Sequence, residues 1–180
     1  NAKLLSSELS TFISGRYVEI KIYGLSFSEF LLFHQLENNE ESFNKYIKYG
    51  GLPGITNIDL EEDIVYDYLK NIYAAILFKD VVKRYSIRNI SFLENLVKFL
   101  ADNIASVISA KKISDYLKSQ QIKVTPNIVL DYISYLEDAF FIFKVQRAEI
   151  TGKKVFEIGE KYFFEDLGLR HSILGYRQND

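Results

Sequence analysis

The chain has 180 residues, enough for one sizeable core or two small ones. A hydrophobic share of 48%, with 14 Phe and 13 Tyr, excludes a disordered chain, and a formal net charge of −2 excludes a global positive field for nucleic acid, so any DNA contact must come from a local patch. With no Cys, disulfides, thiolate chemistry and sulfur-ligated zinc are excluded together, and His34 and His171 lie too far apart in sequence to argue for a metal, so none is expected.

No apolar run approaches the roughly 18 residues of a membrane span, and no signal pattern opens the chain. No membrane partner is expected, and the cytoplasm is the default location. Asn1 opens a chain without any Met, which predicts a non-native N-terminus. Asn1-Ala2 reads equally well as a cloning remnant.

Leu4, Leu5, Leu9, Phe12 and Ile13 recur at helical spacing, and Ser14-Gly15 ends that helix. Tyr17–Tyr23 alternates, with Val18, Ile20 and Ile22 on one face and Glu19 and Lys21 on the other, which predicts a half-buried strand. Ser26 caps a short helix, with Glu29 at capping-box spacing. Polar Glu37–Glu41 reads as a linker. A short helix over Ser42–Tyr49 stops at Gly50-Gly51-Leu52-Pro53-Gly54, a rigid loop.

From Asp59 a helical pattern runs to about Tyr85, with Ile64, Val65, Tyr68, Leu69, Ile72, Tyr73, Ile76 and Leu77 on its buried stripe. Ser91 caps the next helix. Ser109 caps another, with Ile113, Tyr116 and Leu117 inside. The polar turn Ser119–Lys123 leads to Thr125 as N-cap and Pro126 at the first helical position. That helix buries Ile128, Val129, Tyr132, Ile133 and Leu136, then passes into a strand over Phe141–Ile150. A Thr151-Gly152-Lys153 turn and a second strand, Lys154–Ile158, complete a hairpin. Glu165–Leu174 reads as a last short helix before a polar tail. The order predicts a mainly α fold with a small β component, a helical bundle plus a winged helix-turn-helix. Its parts are residues 1–36, a helical linker domain over 37–106, the winged helix-turn-helix over 107–166, and a helix and tail over 167–180.

The helix-turn-helix invites a DNA-binding reading, but the expected recognition helix, Pro126–Asp138, argues against it. Its outward positions are Asn127, Asp131, Ser134, Tyr135, Glu137 and Asp138, with three carboxylates and no Lys or Arg. In a major groove that surface meets phosphate repulsion instead of counterion release. Lys111, Lys112, Lys118, Lys123, Arg147, Lys153 and Lys154 place positive charge on the preceding helix, the turn and the wing, which leaves a wing-led DNA contact open. A packing or protein-contact module fits better.

Lys79, Lys83, Arg84 and Arg88 form a basic run, a solvated face or a contact for phosphate or an acidic partner. Glu19-Ile20-Lys21 has the spacing of a nuclease E-x-K but lacks an upstream aspartate. Glu61-Glu62-Asp63 suits a helix N-terminus and needs no other role. The Tyr and Phe residues fall at core spacing, which disfavours a base-stacking platform.

Three segments carry a family resemblance. The first is Asn1–Phe30, with Gly15-Arg16 and Leu25-Ser26-Phe27-Ser28-Glu29-Phe30. The second is Lys79-Asp80-Val81-Val82-Lys83-Arg84 with Ile87-Arg88-Asn89. The third runs from Tyr135-Leu136-Glu137-Asp138 through Gly152-Lys153-Lys154 to Lys161–Arg170. Together they resemble the prokaryotic AAA-type ATPases that carry a domain of unknown function after the ATPase core. The resemblance implies that residues 1–36 are the tail of such a core, with Tyr17–Tyr23 as its last strand. It also implies that Arg16 is an arginine finger reaching a neighbouring subunit's nucleotide, and that Asn1 is a nucleotide-sensor position in the parent protein. Without the resemblance, Arg16 is an arginine favoured by a helix C-terminus.

ATP and Mg are expected for the parent but no cofactor for this chain, because no G-x-x-x-x-G-K-[ST] occurs in it; Gly152-Lys153 lacks the upstream glycine. The family's restriction-endonuclease-like C-terminal part is also missing. Gly24 departs from the family, where a proline usually precedes Leu-Ser-Phe. The expected partners are the parent's missing domains, with DNA and a second copy of the chain as alternatives. The reading is thus a non-enzymatic fragment that links and recognises; residual ATPase or nuclease activity is the competing class.

Overall fold

In the computed structural model, which describes residues 20–145 and 159–176, seven α-helices and one two-stranded antiparallel sheet form among those residues. They fall into two compact units, one of residues 78–164 and one of residues 20–77 with 165–176. The second unit is discontinuous in sequence.

The discontinuous unit opens with α1, Phe27–His34, and its N-terminus is the expected capping box. Ser26 accepts from the Glu29 amide while its own N–H donates to Glu29 Oε2 at 2.8 Å. Asn39 then caps α2, Glu40–Tyr49, by accepting from the Ser42 amide at 2.9 Å. The polar Glu37–Glu41 stretch is therefore only partly a linker, since its last two residues form the first turn of α2. Acidic side chains suit that turn through the helix dipole.

After a 3-10 turn at Pro53–Asn57, α3 runs over Glu62–Ala75, and a π-helical segment over Ile76–Val82 follows it. Asp166 caps the last helix, α7, Leu167–Leu174, which packs on α2 and α3. Phe30, Tyr49, Ile55, Val65, Tyr66, Leu69 and Leu169 form the core of this unit.

Asp166 also holds the glycine loop in place. Its carboxylate is 5% exposed and accepts from the Gly51 amide at 2.7 Å and the Leu169 amide at 2.9 Å. Gly50 sits at φ 80, and a Cβ there would collide with that carboxylate; one at Gly168 would collide with the Tyr49 carbonyl. Gly51 in turn accepts from the Leu25 amide at 2.6 Å, and Tyr46 donates to the Leu25 carbonyl at 2.9 Å. One buried carboxylate thus ties the loop after α2 to the start of α7.

The expected strand Tyr17–Tyr23 does not form where it can be followed. Residues 20–23 make no strand, and Ile20 and Ile22 are 79% and 88% exposed. A strand needs a neighbour for its N–H and C=O groups, and among the described residues no other strand meets this one. Residues 17–19 and the helix expected before them lie outside the described residues.

In the unit of residues 78–164, α4 spans Ile90–Asp102. Its cap is Asn89, which accepts from the Phe92 amide at 3.0 Å, and not the expected Ser91. Both are cap-forming residues, and the earlier one places Phe92, Leu93, Leu96 and Leu100 in the core. The next two helices form as expected: α5, Ala110–Ser119, capped by Ser109, and α6, Pro126–Asp138, capped by Thr125 with Pro126 in the first turn. Replacing Thr125 by Ala should cost about 1 kcal/mol in a urea melt, the usual value of a lost N-cap.

Strand β1, Ile142–Val145, pairs antiparallel with β2, Lys161–Phe164, Ile142 lying opposite Phe164. The expected wing strand Lys154–Ile158 and its turn lie outside the described residues. The observed partner of β1 is further along, in a segment read from the sequence only as part of a family motif. Ile108 adds a bridge to Glu160 on the other side.

A candidate recognition face on the helix-turn-helix

Ser114 sets the geometry of the turn between α5 and α6. Its buried hydroxyl donates to the Val124 carbonyl at 2.7 Å, which ties the helix to the segment that enters α6. Gln121 takes φ 63 to complete the reversal. Lys118, Gln121, Lys123, Val124 and Thr125 line an open concavity of about 800 Å3 beside this turn. Lys111, Lys112, Lys118 and Lys123 are all exposed, so four of the seven cations expected to face DNA are open to solvent, and Lys118 and Lys123 line the concavity. Lys118 lies 3.7 Å from Asp115 one turn back, an exposed pair of small energetic weight. Arg147, Lys153 and Lys154 lie outside the described residues, as do Arg16 and Asn1.

The outward face of α6 has a different character. Asn127, Asp131, Ser134 and Asp138 are exposed as expected, whereas Tyr135 and Glu137 are half-buried. Two apolar side chains join them: Ile128 is 40% and Leu130 47% exposed. Ile128 was expected inside, but the core positions of this helix are Val129, Ile133 and Leu136. Tyr116 on α5 likewise lies 46% exposed, resting on Phe99 with ring centroids 4.7 Å apart. The face is polar and acidic, with Ile128 and Leu130 on its opposite edges and no cation on the helix itself.

The far end of α6 is clamped by Tyr85. Its ring stacks on Tyr135 at 3.9 Å, its hydroxyl donates to Asp138 Oδ2 at 2.7 Å, and the Arg84 guanidinium lies 5.2 Å from its ring centre. Lys79, Lys83 and Arg88 are exposed nearby in sequence, while Arg84 is half-buried. The basic run is thus divided between solvent and packing.

Burial, then the bond to Asp138, pushes the Tyr85 hydroxyl up to about 12. Folding therefore favours its protonated form, so this contribution to stability is full below the free tyrosine value of about 10 and fades as pH rises through about 12. Tyr85→Phe should cost about 1 kcal/mol at neutral pH and flatten that alkaline loss, read from denaturation midpoints against pH.

A second polar cluster forms on β1 and β2 and beside them. Lys144 and Glu160 pair at 3.3 Å, and the Tyr162 hydroxyl donates to Glu160 Oε2 at 2.8 Å. Burial raises the Glu137 carboxyl, with nearby Lys144 opposing that shift. Neither this cluster nor the Tyr85 clamp was visible in the sequence. The only signal for Asp166 was an Asp preceding an apolar helical run, which marks an N-cap but not its partner 115 residues away.

Among the described residues no group of three His, Asp or Glu side chains is placed to hold a metal, and no helix is long and apolar enough to cross a membrane. An uncharacterized protein of Haemophilus influenzae is 36% identical over 179 residues, covering 97% of this chain and 44% of that protein. An uncharacterized protein of Methanocaldococcus jannaschii is 38% identical over 166 residues, covering 86% of this chain and 37% of its own length. The chain therefore spans less than half the length of these curated relatives. No solved structure matches it. The family model described as "Domain of unknown function (DUF8612)" matches residues 40–180, which include the helix-turn-helix and the Asp166 clasp, and the chain belongs to that family.

Proposed function

We propose that this chain is a non-catalytic recognition and linking module within a longer ATPase-like protein, and that its winged helix-turn-helix contacts protein surfaces. The observation that carries this reading is the outward face of α6. It presents Asn127, Asp131, Ser134 and Asp138, flanked on opposite edges by part-exposed Ile128 and Leu130, and holds no Lys or Arg, which suits a basic protein surface and opposes a phosphate backbone. The partner is either another domain of the same polypeptide or a separate protein. Residues 1–36 belong to the same proposal as the tail of an ATPase core, and exposed Ile20 and Ile22 offer apolar surface for association with other domains or with a second copy.

The non-catalytic part rests on the missing phosphate-binding loop. Calorimetric titration with ATP and Mg should show no binding to the chain; micromolar affinity would overturn it. A trans-acting arginine at Arg16 would then act only in the parent assembly, with ATP and Mg held elsewhere in it.

A second reading is favoured by the exposed lysines around the α5–α6 turn, which would let DNA bind through that helix and the wing. It predicts that neutralising Lys153 and Lys154 weakens binding and shallows its salt dependence, by close to one unit of slope per lost phosphate contact. Asp131→Asn with Glu137→Gln would then strengthen binding, or leave it unchanged if α6 faces away from the duplex.

A further inference from the structure

The helix that starts at Glu62 changes type partway along. It is α-helical to Ala75 and π-helical over Ile76–Val82. π-Helical residues make up well under about 1% of globular proteins and usually occur as one wide turn, often at functional sites. The wide spacing continues into the chain beyond. Lys83 N–H donates to the Phe78 carbonyl at 3.0 Å and Ile87 N–H to the Val82 carbonyl at 3.0 Å, each five residues back, while Tyr85 N–H reaches only four back, to Val81. Ser86 then takes φ 51, a left-handed conformation unfavourable for a residue with a side chain.

A second observation is independent of the hydrogen bonds. The boundary between the two compact units falls between Leu77 and Phe78, inside the π-helical segment. Leu77 and Val81 are fully buried, whereas Phe78, Lys79 and Lys83 are exposed.

We propose that Ile76–Val82 is a conformational joint. Conversion of its wide turn to α-helix shifts the register by one residue, which turns the chain beyond it by about 100° about the helix axis. Such a turn has two hydrogen-bonded arrangements of similar content, so a modest bias selects between them. Lys79 rides on this element and Lys83 directly follows it, which gives the basic run a place in the switch.

The chain has no Cys, so spin labels can be placed through Asp67→Cys on α3 and Lys98→Cys on α4, both exposed. Pulsed dipolar spectroscopy should return two distance populations, and deletion of Lys79 should reduce them to one. In the unaltered chain, amides of residues 78–87 should exchange faster than those of α3 and α4. A single narrow distance population before the deletion, or amide protection equal to that of α3, overturns the proposal. Should the deletion variant not fold, the exchange measurement on the unaltered chain decides alone.

Discussion

Asp166→Ala is expected to destabilise the unit of residues 20–77 and 165–176 by about 3–5 kcal/mol, enough to unfold a marginal domain. The substitution strands the Gly51 and Leu169 amides, both buried where the carboxylate now accepts them. Each orphaned donor costs about 1–3 kcal/mol, and α7 loses its N-cap as well. Gly168→Ala should act on the same clasp from the other side, because its new methyl would meet the Tyr49 carbonyl.

Asp166→Asn separates the charge from the hydrogen bonds. Burial is the main influence on this carboxyl and raises it above its ordinary value, against the backbone bonds that oppose the shift. The folded state thus binds the proton more tightly than the unfolded one. The side chain's contribution is full below the unfolded value of about 3.9 and is lost as pH rises through the raised folded value. The Asn variant should therefore gain on the wild type as pH rises through that window. Urea midpoints at several pH values read both effects; an alanine variant as stable as wild type would mean the clasp contributes nothing.

The second large effect is expected at Tyr162. It is 2% exposed in the middle of β2, and its carbonyl accepts from the Ala105 amide at 3.2 Å. Tyr162→Ala empties a core site and should cost about 3–5 kcal/mol. Tyr162→Phe keeps the ring and gives up only the bond to Glu160, so about 1 kcal/mol is expected. Glu160 retains Lys144 at 3.3 Å in that variant. Equal losses for the two variants would show that the hydroxyl network, and not ring packing, anchors the strand.

These two sites also mark where sequence reading ran out. Local signals were legible: the Ser26 capping box, the Thr125-Pro126 helix start and the Ser109 cap all form as the residues predict. They depend on contacts within one turn of chain. The Asp166 clasp joins positions 115 residues apart, and β2 pairs with β1 although its own run, Lys-Tyr-Phe-Phe, lacks clean alternation. Over residues 20–23, the expected strand Tyr17–Tyr23 departs in the opposite sense. Its alternation is strong, but alternation only says that one face wants burial, and residues 20–23 have no strand to pair with among the described residues. On α6 the acidic character was legible, while the exposure of Ile128 depended on how the helix is rotated against its core.

The proposed role of this module is recognition of protein and not of nucleic acid. Fluorescence anisotropy of a labelled random duplex, titrated with the chain across several salt concentrations, tests it most directly. The acidic outward face of α6, which carries no Lys or Arg, predicts no binding even at the lowest salt. Binding that weakens steeply with salt, and that is lost when Lys111, Lys112, Lys118 and Lys123 are neutralised, would contradict it.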